Sequence, residues 1–85
     1  MSDPTYKEQY SRLAKALRIA DIMQAGGITS QEAAMGSRSD WAMAAAAAGF
    51  INGYEPSDDT QKIVIKLLLD REMAAKKFVK ETKNG

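Results

Sequence analysis

Between Trp41 and Gly49 the sequence reads WAMAAAAAG, and from Ala44 to Ala48 no side chain is larger than a methyl group. Five consecutive alanines favour one regular structure. Alanine is the strongest helix former because it loses no rotamer freedom on folding, and it gives a sheet little to pack across strands. The run also strips that helix of bulk, so whatever lies against it can approach closely. Two explanations compete. Either the bare face is packed tightly inside the domain, or it is kept free to dock in a partner's groove. Trp41, Met43, Phe50 and Ile51 bracket the run. Large apolar groups around a smooth surface suit helix-in-groove recognition, and they equally suit a small protein's core.

The chain has 85 residues, enough for one domain. A domain of this size hides only roughly 60–65% of the surface of its unfolded chain, so its own stability amounts to a few kcal/mol. An apolar fraction of 45% suits a folded protein. Much of it is alanine, which leaves the core thin in bulky groups, and a partner could contribute to its integrity.

Glycines and capping residues divide the sequence into helices. The first is expected to start near Asp3 to Thr5. Asp3 can cap with Pro4 at the first helical position, or Thr5 can cap with Glu8 reaching back. Tyr6, Tyr10, Leu13, Leu17 and Ala20 recur at helical spacing as its apolar stripe, widened by Ala14, Ala16, Ile19, Ile22 and Met23. Gly26–Gly27 ends it. Thr29 and Glu32 form a capping box for a short second helix. Ser37 or Ser39 caps a third, with Asp40 at its positive end. That helix is expected from about Ser39 to Ile51, with Gly53 as its stop. After the connector Tyr54–Glu55–Pro56, Ser57 caps a fourth helix that starts with Asp58 and Asp59. Its apolar positions are Ile63, Val64, Leu67, Leu68 and Val79, with Ile65, Leu69, Met73 and Phe78 adding to them. The cluster KIVIK would also suit a strand, but no second strand is available to pair with it. The helix is expected to reach about Thr82 or to break near Asp70–Arg71. The expectation is an all-α protein, a small single domain of three to four helices over residues 1–85. Residues 1–40 hold the N-terminal helices, and 41–85 hold the alanine helix and the C-terminal helix.

Composition removes several classes of function. There is no Cys, so no disulfide framework or thiolate metal site, and no His, the commonest general base and metal ligand. The expectation is a protein that is not an enzyme and holds no cofactor or metal. A formal net charge of +1 argues against general nucleic-acid binding. The start MSDPTYKEQY has no signal-peptide character, and the apolar run Trp41 to Ile51 is too short to cross a bilayer. A cytoplasmic protein without a membrane partner is expected.

Other signals have plain explanations. The segment from Ile28 to Phe50 has the outline of a helix-turn-helix, but a recognition helix needs base-reading side chains near its start. Only Arg38 lies there, and Asp40 would repel phosphate. Arg71, Lys76, Lys77, Lys80 and Lys83 complement the negative end of the last helix, as Asp58 and Asp59 complement its positive end. Asp70, Glu72 and Glu81 interrupt that basic face, which disfavours a membrane-lying helix. Gly26–Gly27 and Asn52–Gly53 follow no strand, so neither belongs to a nucleotide-binding loop.

The stretch AAAAAGFINGYEPSDDTQKIVIKLLLDREMAAKKFVKE, Ala44 to about Glu81, resembles the small antitoxins of the VbhA type. These inhibit Fic toxins, enzymes that transfer AMP from ATP to target proteins. The specific matches are Asn52–Gly53, Glu55–Pro56 and the helix from Ser57. The family motif is Ser or Thr, three residues, Glu, then Gly or Asn. On this chain those positions are Ala48, Asn52 and Gly53. In the family the glutamate pairs with an arginine of the toxin's active site and stops it from orienting the γ-phosphate of ATP. Such a charge-assisted pair is about twice as strong as a neutral hydrogen bond; Asn52 supplies the neutral kind and Ala48 none. The resemblance implies a protein-binding antitoxin whose partner is a Fic-domain toxin, with inhibition resting more on steric exclusion than on charge pairing. The partner-binding residues it implies, together with the flanking apolar groups, are Trp41, Ala44, Ala45, Ala48, Phe50, Ile51, Asn52, Gly53 and Tyr54. The alternatives are a small helical DNA-binding regulator and a phage- or plasmid-derived inhibitor of another host enzyme.

Overall fold

The computed structural model describes residues 6–84, with side chains described for residue 7 and residues 9–77. Four helices and no strand occur among them: α1 (Tyr6–Ala25), α2 (Ser30–Ala34), α3 (Arg38–Ala47) and α4 (Asp58–Asn84). The expected caps at Asp3 and Thr5 lie outside the described residues.

Local chemistry sets most of the boundaries. After Ala25, Gly27 adopts φ +79°. Its N–H donates to Gln24 O (3.1 Å), and Ile28 N–H donates to Met23 O (2.9 Å). This is the paired closure by which a left-handed glycine satisfies a helix's last carbonyls. At α2, Thr29 Oγ1 accepts from Glu32 N–H while the Glu32 carboxylate accepts from Thr29 N–H, at 3.1 and 3.0 Å. Ser37, rather than Ser39, caps α3: its N–H donates to Asp40 Oδ2 (2.9 Å), and Asp40 N–H donates to Ser37 Oγ (3.2 Å). Ser37 thus acquires a carboxylate three residues on, and Ser39 has none there. Ser57 Oγ accepts from Thr60 N–H (3.2 Å) at the head of α4. That helix runs through Asp70–Arg71 without a break.

α3 stops at Ala47, four residues short of the expected end at Ile51. Gly49 takes φ +96°, its N–H donates to Ala46 O (3.0 Å), and Phe50 N–H donates to Ala45 O (3.0 Å). Gly49 is the first residue after the alanines that can turn left-handed without strain, so it closes the helix before Gly53 is reached.

The core draws Ala16, Ile19, Ala20 and Met23 from α1, Ala33 from α2, Trp41, Ala44 and Ala45 from α3, and Val64 and Leu68 from α4. The expected stripe on α1 is corrected in part. Ala20, and the Ala16, Ile19 and Met23 expected to widen the stripe, face inward, whereas Tyr10, Leu13 and Leu17 are exposed; the Tyr6 side chain lies outside those described. Small Ala16 and Ala20 let neighbouring helices approach, which bulkier groups would prevent. α1 and α4 point the same way along their contact. Arg12 reaches Asp59 near the start of α4 (3.7 Å), and Arg71 donates to Asp21 and Gln24 near the end of α1 (both 2.8 Å). α2 is tied to α4 by Glu72, whose two carboxylate oxygens accept from Ser30 N–H and Ser30 Oγ–H (both 2.7 Å).

Candidate functional site

The nine expected contact residues separate into three groups. Trp41, Ala44 and Ala45 are enclosed by the domain's own helices. This corrects the expectation that they form a partner surface: α3 turns Trp41 and one side of its alanines toward α1 and the core. Ala46 and Ala47 face outward, and Met43 is 70% exposed. Ala48 is half-buried. Phe50, Ile51, Asn52, Gly53 and Tyr54 lie together in the connection between α3 and α4, in a loop rather than on a helix.

This loop is built by two tight turns. Gly49 makes the first, as it ends α3. The second spans Ile51 to Tyr54, where Tyr54 N–H donates to Ile51 O (3.0 Å) and Gly53 takes φ +92°. No residue other than glycine has a positive φ among the described residues, so Asn52 lies on the negative side. A negative φ followed by a positive one marks a type II turn, with Gly53 at the position that requires it.

α1 braces the loop from below. Arg18 Nη2 donates to Ala48 O (2.8 Å), satisfying a carbonyl at the negative end of α3. The same guanidinium lies over the Phe50 ring, 4.2 Å from its centroid. Phe50 in turn stacks obliquely on Tyr54, with centroids 5.1 Å apart, and Lys15 Nζ lies 5.8 Å above the Tyr54 ring. On the far side Arg38 reaches Glu55 Oε1 through Nε (3.1 Å) and Nη2 (2.9 Å). A β-carbon at Gly49 would sit 3.0 Å from Arg18 Nη2, so the glycine serves both the backbone turn and the clamp.

What this scaffold presents is apolar. Ile51 is 82% exposed, the most exposed large apolar side chain described. Asn52 beside it offers one amide to any partner. A recess of about 500 Å³ lies under the tip, lined by Lys15 and by Phe50 through Tyr54. Neither Lys15 nor Arg18 meets a carboxylate within 4.0 Å among the described side chains, so the loop carries a residual positive flank. Residue-by-residue reading of the sequence missed these two cations. Their spacing of three along α1 places them on one face, but only the fold shows that the loop packs there.

Other possibilities are weaker. Arg38, the base-reading candidate of a helix-turn-helix, is engaged by Glu55, and the outward face of α3 holds Ser39, Met43, Ala46 and Ala47. Among the described residues no three carboxylates converge on a metal position, and no helix is long and apolar enough to cross a membrane. An open groove of about 400 Å³ runs between the end of α1, α2 and α3, with Ile22, Ile28, Met43 and Ala47 on its walls. Comparison with family models, with curated proteins and with solved structures finds no match for this chain.

Proposed function

We propose that this chain is a protein-binding inhibitor of the VbhA antitoxin kind, which sets the loop after α3 into the active-site mouth of a Fic-type AMP-transferring enzyme. The observation that carries the reading is the clamped loop whose leading side chain, Ile51, is apolar and 82% exposed. An isoleucine left in water withholds about 1.5–3 kcal/mol of burial, which a partner's pocket can recover. A loop already braced by Arg18 and Lys15 loses little conformational freedom on binding, which favours affinity. The segment that resembles the family's inhibitory motif, Ala48 to Gly53, is a turn here. The docking element is therefore the end of α3 with the loop it leads into. Asn52 accepts a hydrogen bond from the toxin's arginine without supplying a charge, so inhibition comes chiefly from filling the space beside ATP.

The test uses a Fic enzyme encoded next to this chain. AMP transfer should fall as the purified chain is added, and Ile51→Asp should weaken inhibition at least about tenfold, the loss expected for one buried apolar anchor. Undiminished AMP transfer at saturating binding would reject the reading.

A further inference from the structure

We propose that Asn52 is a self-modifying site, at which the backbone nitrogen of Gly53 converts the Asn52 amide into a carboxylate. The Gly53 nitrogen attacks the side-chain carbonyl carbon of Asn52. A bond forms between that nitrogen and Cγ, the Cγ–Nδ2 bond breaks, and Nδ2 leaves as ammonia with the proton given up by the Gly53 amide. The product is a five-membered imide. Water then opens it. Cleavage at Cγ yields aspartate, and cleavage at the main-chain carbonyl yields isoaspartate, with the backbone running through the former side chain. Water is the one reagent consumed, and no oxidant or cofactor takes part.

Five features of the loop and its surroundings favour this chemistry at Asn52. Gly53 has no side chain to shield its nitrogen, and a β-carbon position there meets nothing within 4 Å, so the imide ring has room. Asn52 and Gly53 are both exposed to the water that must follow. Among the described residues the Gly53 N–H donates to no acceptor, so attack breaks no hydrogen bond at the nucleophile. Across the Asn52–Gly53 tip itself the turn is closed by one backbone hydrogen bond, Tyr54 N–H to Ile51 O at 3.0 Å. Lys15 lines the same recess as Asn52 and Gly53, and its charge favours both the deprotonated amide and the carboxylate formed.

The change removes one from a formal net charge of +1 and places an anion at the leading edge of the loop. Its consequence for binding rests on the inhibitor reading above, whereas the chemistry does not. A carboxylate at position 52 makes a charge-assisted bond to a partner's arginine where the amide makes a neutral one, so the aspartate form binds more tightly than the chain as synthesised.

The experiment incubates the full chain in mildly alkaline buffer, with and without concentrated urea, and follows the amide-to-acid mass gain by peptide mapping. Mapping separates Asn52 from the second Asn–Gly pair, Asn84–Gly85. Asn52 should convert in the folded chain within about tenfold of its rate in urea, because the Arg18, Phe50 and Tyr54 contacts brace the ends of the loop while one backbone hydrogen bond spans the Asn52–Gly53 tip. Isoaspartyl methyltransferase should label the product, and Gly53→Ala should slow conversion at least about tenfold while circular dichroism stays helical. Conversion in urea with an unchanged Asn52 in the folded chain would overturn the proposal. Asn52→Asp then addresses the consequence separately. Tighter binding to the Fic enzyme supports it, and unchanged or weaker binding removes the regulatory role while the modification site stands.

Discussion

Arg18 is the residue on which the presented loop depends. It donates a hydrogen bond to a carbonyl at the end of α3 and covers the Phe50 ring with one planar group. A lysine could not reproduce both contacts, because its charge is compact and lacks the flat fork. Arg18→Ala should cost about 1 kcal/mol in urea unfolding, since the bond is exposed and the cation–π contact is modest at a wet surface. It should also weaken binding more than folding, because the loop loses its brace. Gly49→Ala adds a β-carbon where φ is +96° and where Arg18 Nη2 lies 3.0 Å away. The expected cost is about 1–2 kcal/mol. The double variant should be more stable than the sum of the two losses implies, because removing Arg18 relieves the clash and leaves only the backbone strain.

Among the helices, α2 is the one held least by its own length. Five residues cannot sustain a helix alone, so its position depends on the Thr29 capping box and on Glu72 from α4. Hydrogen bonds from the Ser30 hydroxyl and then from its backbone N–H hold the Glu72 carboxyl below its ordinary value of 4.5, with Lys76 adding to the effect against partial desolvation. A carboxyl whose value is lower in the folded chain favours folding above the unfolded value. That contribution falls away as pH drops through the folded value. Urea midpoints of the native chain should therefore decline on acidification below about 4.5. Glu72→Gln should be less stable than the native chain at neutral pH, with the difference shrinking in acid. An unchanged difference across that range would remove Glu72 from the account. Ser37→Ala tests the next helix in the same way and should cost about 1 kcal/mol by loss of the α3 cap.

At the scale of the whole molecule, stability rests on few large groups. Ile19 and Val64 are the largest side chains shielded completely, and the remaining core is alanine, two long apolar chains and Trp41. Trp41→Ala should cost about 3–5 kcal/mol, which equals or exceeds what a domain of this size holds in reserve. The variant should be largely unfolded by circular dichroism. The alanine helix provides a sharper comparison. Ala45 is 0% exposed and Ala46 faces water. Ala45→Leu should cost about 1–3 kcal/mol by overpacking, whereas Ala46→Glu should stay within about 0.5 kcal/mol of the native chain. Any loss of partner binding by Ala46→Glu then reports contact on the outer face of α3 rather than damage to the fold.

The helices, and the starts of α2, α3 and α4, were legible in the residues themselves. A cap is a contract among neighbours three or four positions apart, so Thr29 with Glu32 and Ser37 with Asp40 carry their own instructions, as do Gly26–Gly27 at a stop. The signal for ending α3 was also present, in Gly49 followed by apolar Phe50, but Asn52–Gly53 imitates it a few residues later, and the first competent glycine closes the helix. Burial was a different matter. Both Leu17 and Ala16 lie on α1, and nothing local says which of them meets α3 and α4; the small one does, because helices approach most closely over small groups. The same logic divided the alanine run into an enclosed side and an open one. It also carried Lys15 and Arg18 under a loop more than thirty positions away in sequence. Sequence alone therefore determined which segments of this chain are helical and where α2, α3 and α4 begin, since that depends on short-range hydrogen bonding and rotamer entropy. Tertiary structure decided which surface is left for a partner, since that depends on which apolar groups the other helices have already covered.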